Sequence, residues 1–106
     1  MLKKLALVAL IASASVSSVF AEDKINGAGA TFPAPLYYDW AFNYKKDTNN
    51  LVNYQSIGSG GGIKQIAKRT VNFGASDEAL DTLELAKDNL FQFPAAIGSI
   101  VVAFNV

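Results

Sequence analysis

The sequence contains no cysteine and no histidine. The chain can therefore form no disulfide, no thiol-based redox site and no zinc site built from the usual Cys and His ligands. A catalytic serine would also lack the histidine base that activates it. These absences argue against the common hydrolytic and redox enzymes, and we predict no catalytic residues, no metal and no cofactor.

Basic charge is also scarce. Nine Lys or Arg balance nine Asp or Glu over the whole chain, and from residue 22 onwards seven basic residues face nine acidic ones. The net charge of that part is about −2, which does not favour binding to nucleic acid or to an anionic membrane surface.

The first 21 residues have the pattern of a secretory signal peptide. Two lysines precede an apolar run over residues 5–14, and the small residue Ala21 offers a cleavage site. A transmembrane helix would need about 20 apolar residues in succession, and four serines within residues 13–18 interrupt the run. We therefore predict export to a bacterial periplasm with removal of residues 1–21, and no lipid anchor, because the chain has no cysteine.

From residue 25 onwards, strand patterns alternate with stretches whose apolar residues recur at helical spacing. This alternation is typical of an α/β protein with a mainly parallel sheet flanked by helices. The predicted strands cover residues 25–29, 51–57, 71–77, 90–93 and 97–104. The predicted helices carry one apolar stripe of Leu36, Tyr37, Trp40, Ala41 and Tyr44, a second of Ile63, Ile66, Ala67 and Thr70, and a capping box of Asp81 and Glu84.

The two longer helices should present different faces to the core and to solvent. The aromatic stripe of the first helix should pack into the core, whereas the second should expose its cations, Lys64, Lys68 and Arg69. The sequence stops at Val106 in the middle of an apolar run over residues 100–106. That pattern predicts that residues 22–106 are the N-terminal part of a longer chain.

Two turns of small residues precede predicted helices. Residues 26–33 read NGAGATFP, with the hydroxyl residue Thr31 as the expected helix cap and Pro33 just inside the helix. Residues 58–62 read GSGGG between a strand and a helix. Such turns direct several backbone N–H groups into one small space, where the positive end of the helix dipole adds to them. Both turns therefore predict an anion site at the carboxyl edge of the sheet.

Asp77 ends the third predicted strand and should emerge at the same edge. A carboxylate repels an anion unless the anion carries a proton that the carboxylate can accept. Phosphate carries at least one proton at neutral pH and sulfate carries none, so a carboxylate beside two donor turns favours phosphate. On these physical grounds alone Asp77 could equally cap the next turn, and both interpretations stay open at this point.

Four segments resemble the periplasmic phosphate-binding proteins of high-affinity phosphate ABC importers. They are GAGATFPAP at residues 27–35, YQSIGSGGGIKQI at residues 54–66, VNFGASD at residues 71–77 and FQFP at residues 91–94. The resemblance implies a periplasmic-binding-protein type II fold, with residues 22–106 as the N-terminal part of its first lobe and the second lobe missing. It also implies a monomer that closes around one phosphate and delivers it to a membrane permease and its ATPase.

Carried over by position, the resemblance assigns phosphate contacts to five residues, namely Ala30, Thr31, Phe32, Ser59 and Asp77. The first three would donate through backbone N–H groups and the threonine hydroxyl, the serine through its hydroxyl and its N–H, and the aspartate would accept the proton of the phosphate. The family often has a second serine where this chain has Gly60, which removes a side-chain contact and leaves the N–H. The arginine and the Ser-Gly-Thr turn of the family's second lobe have no counterpart in the sequence.

Two other classes of protein share some of these features. A dinucleotide-binding enzyme also has glycine-rich turns after strands, but neither turn here supplies the third glycine of the G-x-G-x-x-G fingerprint. Phe32 stands at that position in the first turn and Ile63 in the second. A binding protein for sulfate, molybdate or another fully deprotonated oxyanion would suit both turns, and Asp77 is the feature that argues against it.

Overall fold

The computed structural model describes residues 23–105. The predicted signal peptide at residues 1–21 lies outside that range and stays a prediction. Within the described range, no helix combines the length and the apolar character needed to cross a membrane.

Three strands and three helices alternate along the described chain. β1 (Lys24–Gly29), β2 (Leu51–Ser56) and β3 (Phe73–Ala75) form one parallel sheet in the order β2-β1-β3. α1 (Ala34–Thr48) connects β1 to β2, α2 (Ser59–Ala67) connects β2 to β3, and α3 (Thr82–Lys87) follows β3. The predicted α/β class with a parallel sheet flanked by helices is confirmed.

Aromatic rings cover the face of the sheet on which α1 packs. Gly27 of β1 lies in register between Tyr54 of β2 and Phe73 of β3. A Cβ atom at Gly27 would lie 2.0 Å from the Phe73 ring, so glycine is what lets that ring extend across β1. The rings of Phe73 and Tyr54 stack with centroids 5.9 Å apart, and Tyr37 of α1 meets Tyr54 edge-on at 5.0 Å. Such ring pairs contribute roughly 0.5 to 1.5 kcal/mol each beyond the burial of their area.

The aromatic stripe of α1 is less buried than its spacing predicts. Tyr37 packs against the core, but Leu36, Trp40 and Tyr44 are 39%, 49% and 42% exposed. A sheet of three strands covers only the part of the helix near Tyr54 and leaves the rest of the stripe open. The prediction of a core-facing stripe is therefore right for Tyr37 and wrong for these three residues.

α2 packs on the opposite face of the sheet through small and branched residues. Its Ile66 lies against Gly74 of β3, where a Cβ atom would approach the Ile66 side chain to 3.0 Å. A Cβ atom at Gly62 would be 2.5 Å from Gly29 Cα and 2.8 Å from the Ala75 carbonyl oxygen. This close approach brings the first turn of α2 directly over the carboxyl ends of β1 and β3.

The chain after β3 differs from the prediction. The strand expected over residues 71–77 is limited to Phe73–Ala75, and residues 76–105 contain no strand. The strands predicted over residues 90–93 and 97–104 are therefore wrong. A strand needs a neighbour that satisfies its N–H and C=O groups, and β3 offers a sheet edge of only three residues.

Local signals around α3 are confirmed, and Arg69 adds contacts to the end of this helix. Asp81 and Glu84 form the predicted capping box, in which Asp81 Oδ1 accepts a hydrogen bond from the Glu84 N–H at 2.8 Å and Glu84 Oε2 accepts one from the Asp81 N–H at 3.3 Å. Arg69 is exposed, as predicted, and it also makes contacts that the sequence did not predict. Its guanidinium donates to the carbonyl oxygens of Asp88 and Asn89, where the C-terminus of α3 favours a positive charge.

Candidate anion-binding site

Three turns meet at the carboxyl edge of the sheet, one after each strand. The first turn comprises residues 30–32, the second turn residues 57–61 and the Asp77 turn residues 76–80. The first and second turns are adjacent, because the N–H groups of Ile57 and Gly58 both donate to the Gly29 carbonyl oxygen, at 3.0 and 2.8 Å. The structure thus brings together the three regions that the sequence predicts to form the site.

Ala30 anchors the first turn through both its backbone N–H and its backbone carbonyl oxygen. Its N–H donates to the Ala75 carbonyl oxygen at 3.0 Å, and its own carbonyl oxygen accepts a hydrogen bond from Tyr54 Oη at 2.6 Å. Ala30 is only 1% exposed. In this conformation its N–H is engaged within the protein, so Ala30 holds the turn in place while the following residues retain the donors.

Thr31 and Phe32 carry the free donors of the first turn. Among residues 23–105, neither of their N–H groups nor the Thr31 hydroxyl has a hydrogen-bond partner. The prediction that Thr31 caps the helix is wrong. Pro33 occupies the cap position, and no side chain caps the helix. Because Pro33 and Pro35 have no N–H, the donors at this end of α1 are concentrated in the two residues before them.

The second turn leads directly into the N-terminus of α2. Gly58 occupies the cap position with φ 88°, a conformation that suits glycine, and it has no side chain to cap the helix. Within the described chain, the N–H groups of Ser59, Gly60 and Gly61 have no acceptor. Three free donors at the positive end of a helix dipole form a site suited to an anion.

A direct hydrogen bond joins Ser59 to the Asp77 turn. Ser59 Oγ accepts the backbone N–H of Asp77 at 3.0 Å. This bond occupies an acceptor position of the hydroxyl and leaves its proton available for a ligand. The Asp77 side chain is exposed, and no Lys or Arg between residues 23 and 105 forms an ion pair with it. A residue with an uncompensated carboxylate is therefore bonded through its backbone to Ser59, at the cluster of donors.

The carboxylate also affects the aromatic cluster beneath the turns. Burial raises the pKa of Tyr54 to about 12, and the nearby Tyr37, Tyr38 and Asp77 add to this rise. Burial and Asp77 also raise the pKa of Tyr37. Both phenols consequently stay protonated at neutral pH, so the Tyr54 hydroxyl remains a donor to the Ala30 carbonyl oxygen.

Replacing Tyr54 by phenylalanine should remove a pH dependence of stability. The pKa of Tyr54 rises on folding from 10.0 to about 12, so its stabilising effect is complete below pH 10 and is lost as the pH rises towards 12. We expect the difference in unfolding midpoint between the unsubstituted protein and Tyr54→Phe to be constant from pH 7 to 9 and to shrink between pH 10 and 12. Thermal unfolding followed by circular dichroism tests this, and a constant difference up to pH 12 would contradict it.

A larger apolar groove lies beside these turns, and Phe32 and Asp77 of the candidate site contribute to its lining. It has a volume of about 1340 Å³ and extends from the Asp77 turn past Tyr37 to Trp40. Its lining includes neither Thr31 nor Ser59. A space of this size lined by aromatic rings does not suit a small anion, which needs convergent donors.

Three residues that support the turns were not predicted from the sequence. Tyr54 holds the first turn, and the hydroxyl of Ser76 both donates to the Glu78 carbonyl oxygen and accepts the Glu78 N–H. Gln92 bonds to the Asp77 turn through its side chain. The one signal in the sequence is that Gln92 is a polar residue between two phenylalanines, in a stretch that otherwise reads as apolar.

A parallel sheet flanked by helices, with donor turns at its carboxyl edge, defines an α/β ligand-binding lobe. The family model described as the PBP superfamily domain matches residues 14–106. The chain therefore belongs to the PBP superfamily.

Curated relatives give a closer comparison. The chain is 55% identical to the phosphate-binding protein PstS of Haemophilus influenzae over 84 residues, which are 79% of this chain and 25% of the relative. It is 48% identical to phosphate-binding protein PstS of Pasteurella multocida over 106 residues, which are 100% of this chain and 30% of the relative. The chain is 54% identical to the protein of the same name from Xylella fastidiosa (strain Temecula1) over 83 residues, which are 78% of this chain and 23% of the relative. The chain thus spans less than a third of the length of these relatives.

Proposed function

We propose that this protein binds inorganic phosphate in the periplasm and delivers it to an ABC-type phosphate importer. The observation that carries the proposal is the bond between Ser59 Oγ and the Asp77 N–H, which couples free donors to an uncompensated carboxylate. The likeness to proteins named phosphate-binding protein supports the same ligand. In this function the chain binds and releases its ligand and catalyses no reaction.

The donors and the carboxylate have complementary roles toward phosphate. The unengaged N–H groups of the first and second turns and the hydroxyls of Thr31 and Ser59 would bind the unprotonated oxygens. These N–H groups belong to Thr31, Phe32, Ser59, Gly60 and Gly61. Asp77 would accept the hydrogen bond from the protonated oxygen. Sulfate offers no proton, so its oxygen would face the carboxylate as a like charge, which a site shielded from water penalises strongly. Of the five residues assigned by resemblance, Thr31, Phe32, Ser59 and Asp77 are the proposed contacts. Ala30 would act through the position of its turn, because its N–H is engaged by Ala75.

The remaining parts of the proposal concern the intact protein. We propose that residues 1–21 direct export and are removed, that the protein acts as a monomer, and that a second lobe completes the shell around phosphate. The partners would be the inner-membrane permease and the ATPase of the importer. The length of the relatives supports this view, since more than two thirds of each lies outside the matched segment.

Equilibrium dialysis of the intact protein against phosphate, sulfate and molybdate at neutral pH tests the ligand. We expect phosphate to bind at least a hundredfold more tightly than either competitor, because like-charge contacts cost several kcal/mol and each 1.4 kcal/mol is a factor of ten. Equal or tighter binding of sulfate or molybdate would instead favour the second candidate, a binding protein for a fully deprotonated oxyanion.

Ser59→Ala in the intact protein should weaken phosphate binding while preserving the fold. The change removes a hydrogen bond to a charged oxygen, worth roughly 1.5 to 3 kcal/mol, and also the acceptor for the Asp77 N–H. Isothermal titration should show an affinity loss of about tenfold to more than a hundredfold. Ser56→Ala is the matched control, because Ser56 is exposed on β2 and its side chain makes no hydrogen bond within the described chain. Equal affinities of the two variants would mean that Ser59 does not contact the ligand.

A further inference from the structure

Gln92 joins the chain after α3 to the Asp77 turn through both ends of its side-chain amide. Its Oε1 accepts the backbone N–H of Leu80 at 2.8 Å, and its Nε2 donates to the carbonyl oxygen of Glu78 at 3.0 Å. The two bonds use both functions of the amide on residues two apart in the turn. A single side chain thus supplies the pairing that a neighbouring strand would otherwise give to this backbone.

The Asp77 turn is held at three places. The Ser76 hydroxyl bonds to the N–H and the carbonyl oxygen of Glu78 at the start of the turn, and Ser59 Oγ accepts the N–H of Asp77 itself. Gln92 holds the end of the turn. The residues of this turn have no backbone hydrogen bond to the sheet, so its hydrogen bonds to other described segments are those of Ser59 and Gln92.

We propose that Gln92 is a positioning residue for ligand selectivity, acting on Asp77 through the turn between them. The inference rests on the proposed phosphate function, in which Asp77 accepts the proton of the ligand. Acceptance of a hydrogen bond depends steeply on distance and angle. Repulsion between two charges falls only gradually with distance.

Hydrogen bonding and charge repulsion thus depend differently on distance, which predicts which ligand loses affinity when the bonds from Gln92 to the turn are removed. Moving the carboxylate by a fraction of an ångström weakens its hydrogen bond to phosphate while changing its repulsion of sulfate little. Loss of Gln92 should therefore lower phosphate affinity and narrow the preference for phosphate over sulfate. A residue that only stabilised the fold would change the unfolding midpoint and leave the ratio of the two affinities unchanged.

Two variants of the intact protein separate these roles. Gln92→Met keeps the approximate length and volume of the side chain and removes both hydrogen bonds. Gln92→Glu keeps an acceptor for the Leu80 N–H and loses the donor to the Glu78 carbonyl oxygen. Gln55→Met is the matched control, because Gln55 is exposed on β2 and its side chain makes no hydrogen bond within residues 23–105. The measurements are the phosphate and sulfate affinities by competition dialysis, the unfolding midpoint, and the exchange rate of the Leu80 amide proton.

We expect Gln92→Met to lower phosphate affinity at least tenfold, to reduce the phosphate-to-sulfate ratio by a similar factor and to accelerate exchange at Leu80. Gln92→Glu should reduce the phosphate-to-sulfate affinity ratio less than Gln92→Met does. Gln55→Met should have the same affinities as the unsubstituted protein. If Gln92→Met retains the ratio, whether or not its midpoint falls, the positioning role is overturned. If the unsubstituted protein fails to bind phosphate, the proposed function fails and this inference fails with it, which the first dialysis distinguishes from an effect of position 92.

Discussion

Asp77→Asn in the intact protein should reduce the preference for phosphate over sulfate by about two orders of magnitude or more. The asparagine keeps the shape of the side chain, removes its negative charge and can donate to a sulfate oxygen. Phosphate loses the acceptor for its proton, and sulfate loses a like-charge contact. Both changes act in the same direction on the ratio, so this variant should alter selectivity more than the other single changes considered. Competition dialysis with the two anions measures the ratio directly.

A change of charge elsewhere on the chain provides the control for this experiment. Asp39→Asn also removes one negative charge, but Asp39 is exposed on α1 and belongs to none of the three turns. We expect it to leave the phosphate-to-sulfate ratio within a factor of about two, since isolated surface charges are screened by salt. If Asp77→Asn and Asp39→Asn give the same ratio, Asp77 only caps its turn, which is the other interpretation that the sequence leaves open.

Gly62→Ala should be strongly destabilising and should abolish tight phosphate binding. An added Cβ atom would meet Gly29 Cα at 2.5 Å, the Ala28 carbonyl oxygen at 2.6 Å and the Ala75 carbonyl oxygen at 2.8 Å. All three contacts are with backbone atoms of β1 and β3, so no side chain can rotate away to relieve them. We expect a loss of about 3 kcal/mol or more in the free energy of unfolding. The N-terminus of α2 would also move away from the other turns, which should weaken binding.

Gly60→Ala is the matched comparison within the same helix. A Cβ atom at Gly60 would meet no atom within 4 Å, so alanine fits without strain. Because alanine loses less backbone entropy than glycine in a helix, the variant should equal or slightly exceed the stability of the unsubstituted protein, by up to roughly 1 kcal/mol. Urea unfolding of both variants gives the comparison. Similar stabilities for Gly62→Ala and Gly60→Ala would show that α2 does not pack closely over the strand ends.

Much of the fold can be predicted because its signals are local. The alternation of strand and helix patterns predicts the parallel sheet, and the spacing of Asp81 and Glu84 predicts a capping box that the structure contains. The glycine-rich segment at residues 58–62 predicts the start of α2. The patterns that predict the individual strands, helices and the capping box each lie within a few positions of the sequence, where backbone propensity and capping chemistry decide the outcome.

The support of the site could not be predicted in the same way. The bonds that hold its turns join residues 24, 18 and 12 positions apart, namely Tyr54 to Ala30, Ser59 to Asp77 and Gln92 to Leu80. No local pattern encodes such pairs. The strands predicted over residues 90–93 and 97–104 failed for a related reason, since apolar composition suits a strand but only a neighbouring edge makes one.

The bond between Ser59 and Asp77 also limits the freedom of the site before any ligand arrives. Because an N–H donor already occupies one side of the Ser59 oxygen, the hydroxyl proton is turned away from Asp77 and little rotational entropy remains to be lost on binding. The same bond links the start of α2 to the turn that follows β3. In the proposed function, an approaching anion would therefore meet a hydroxyl that is already oriented, and less of the binding energy would be spent on ordering the site.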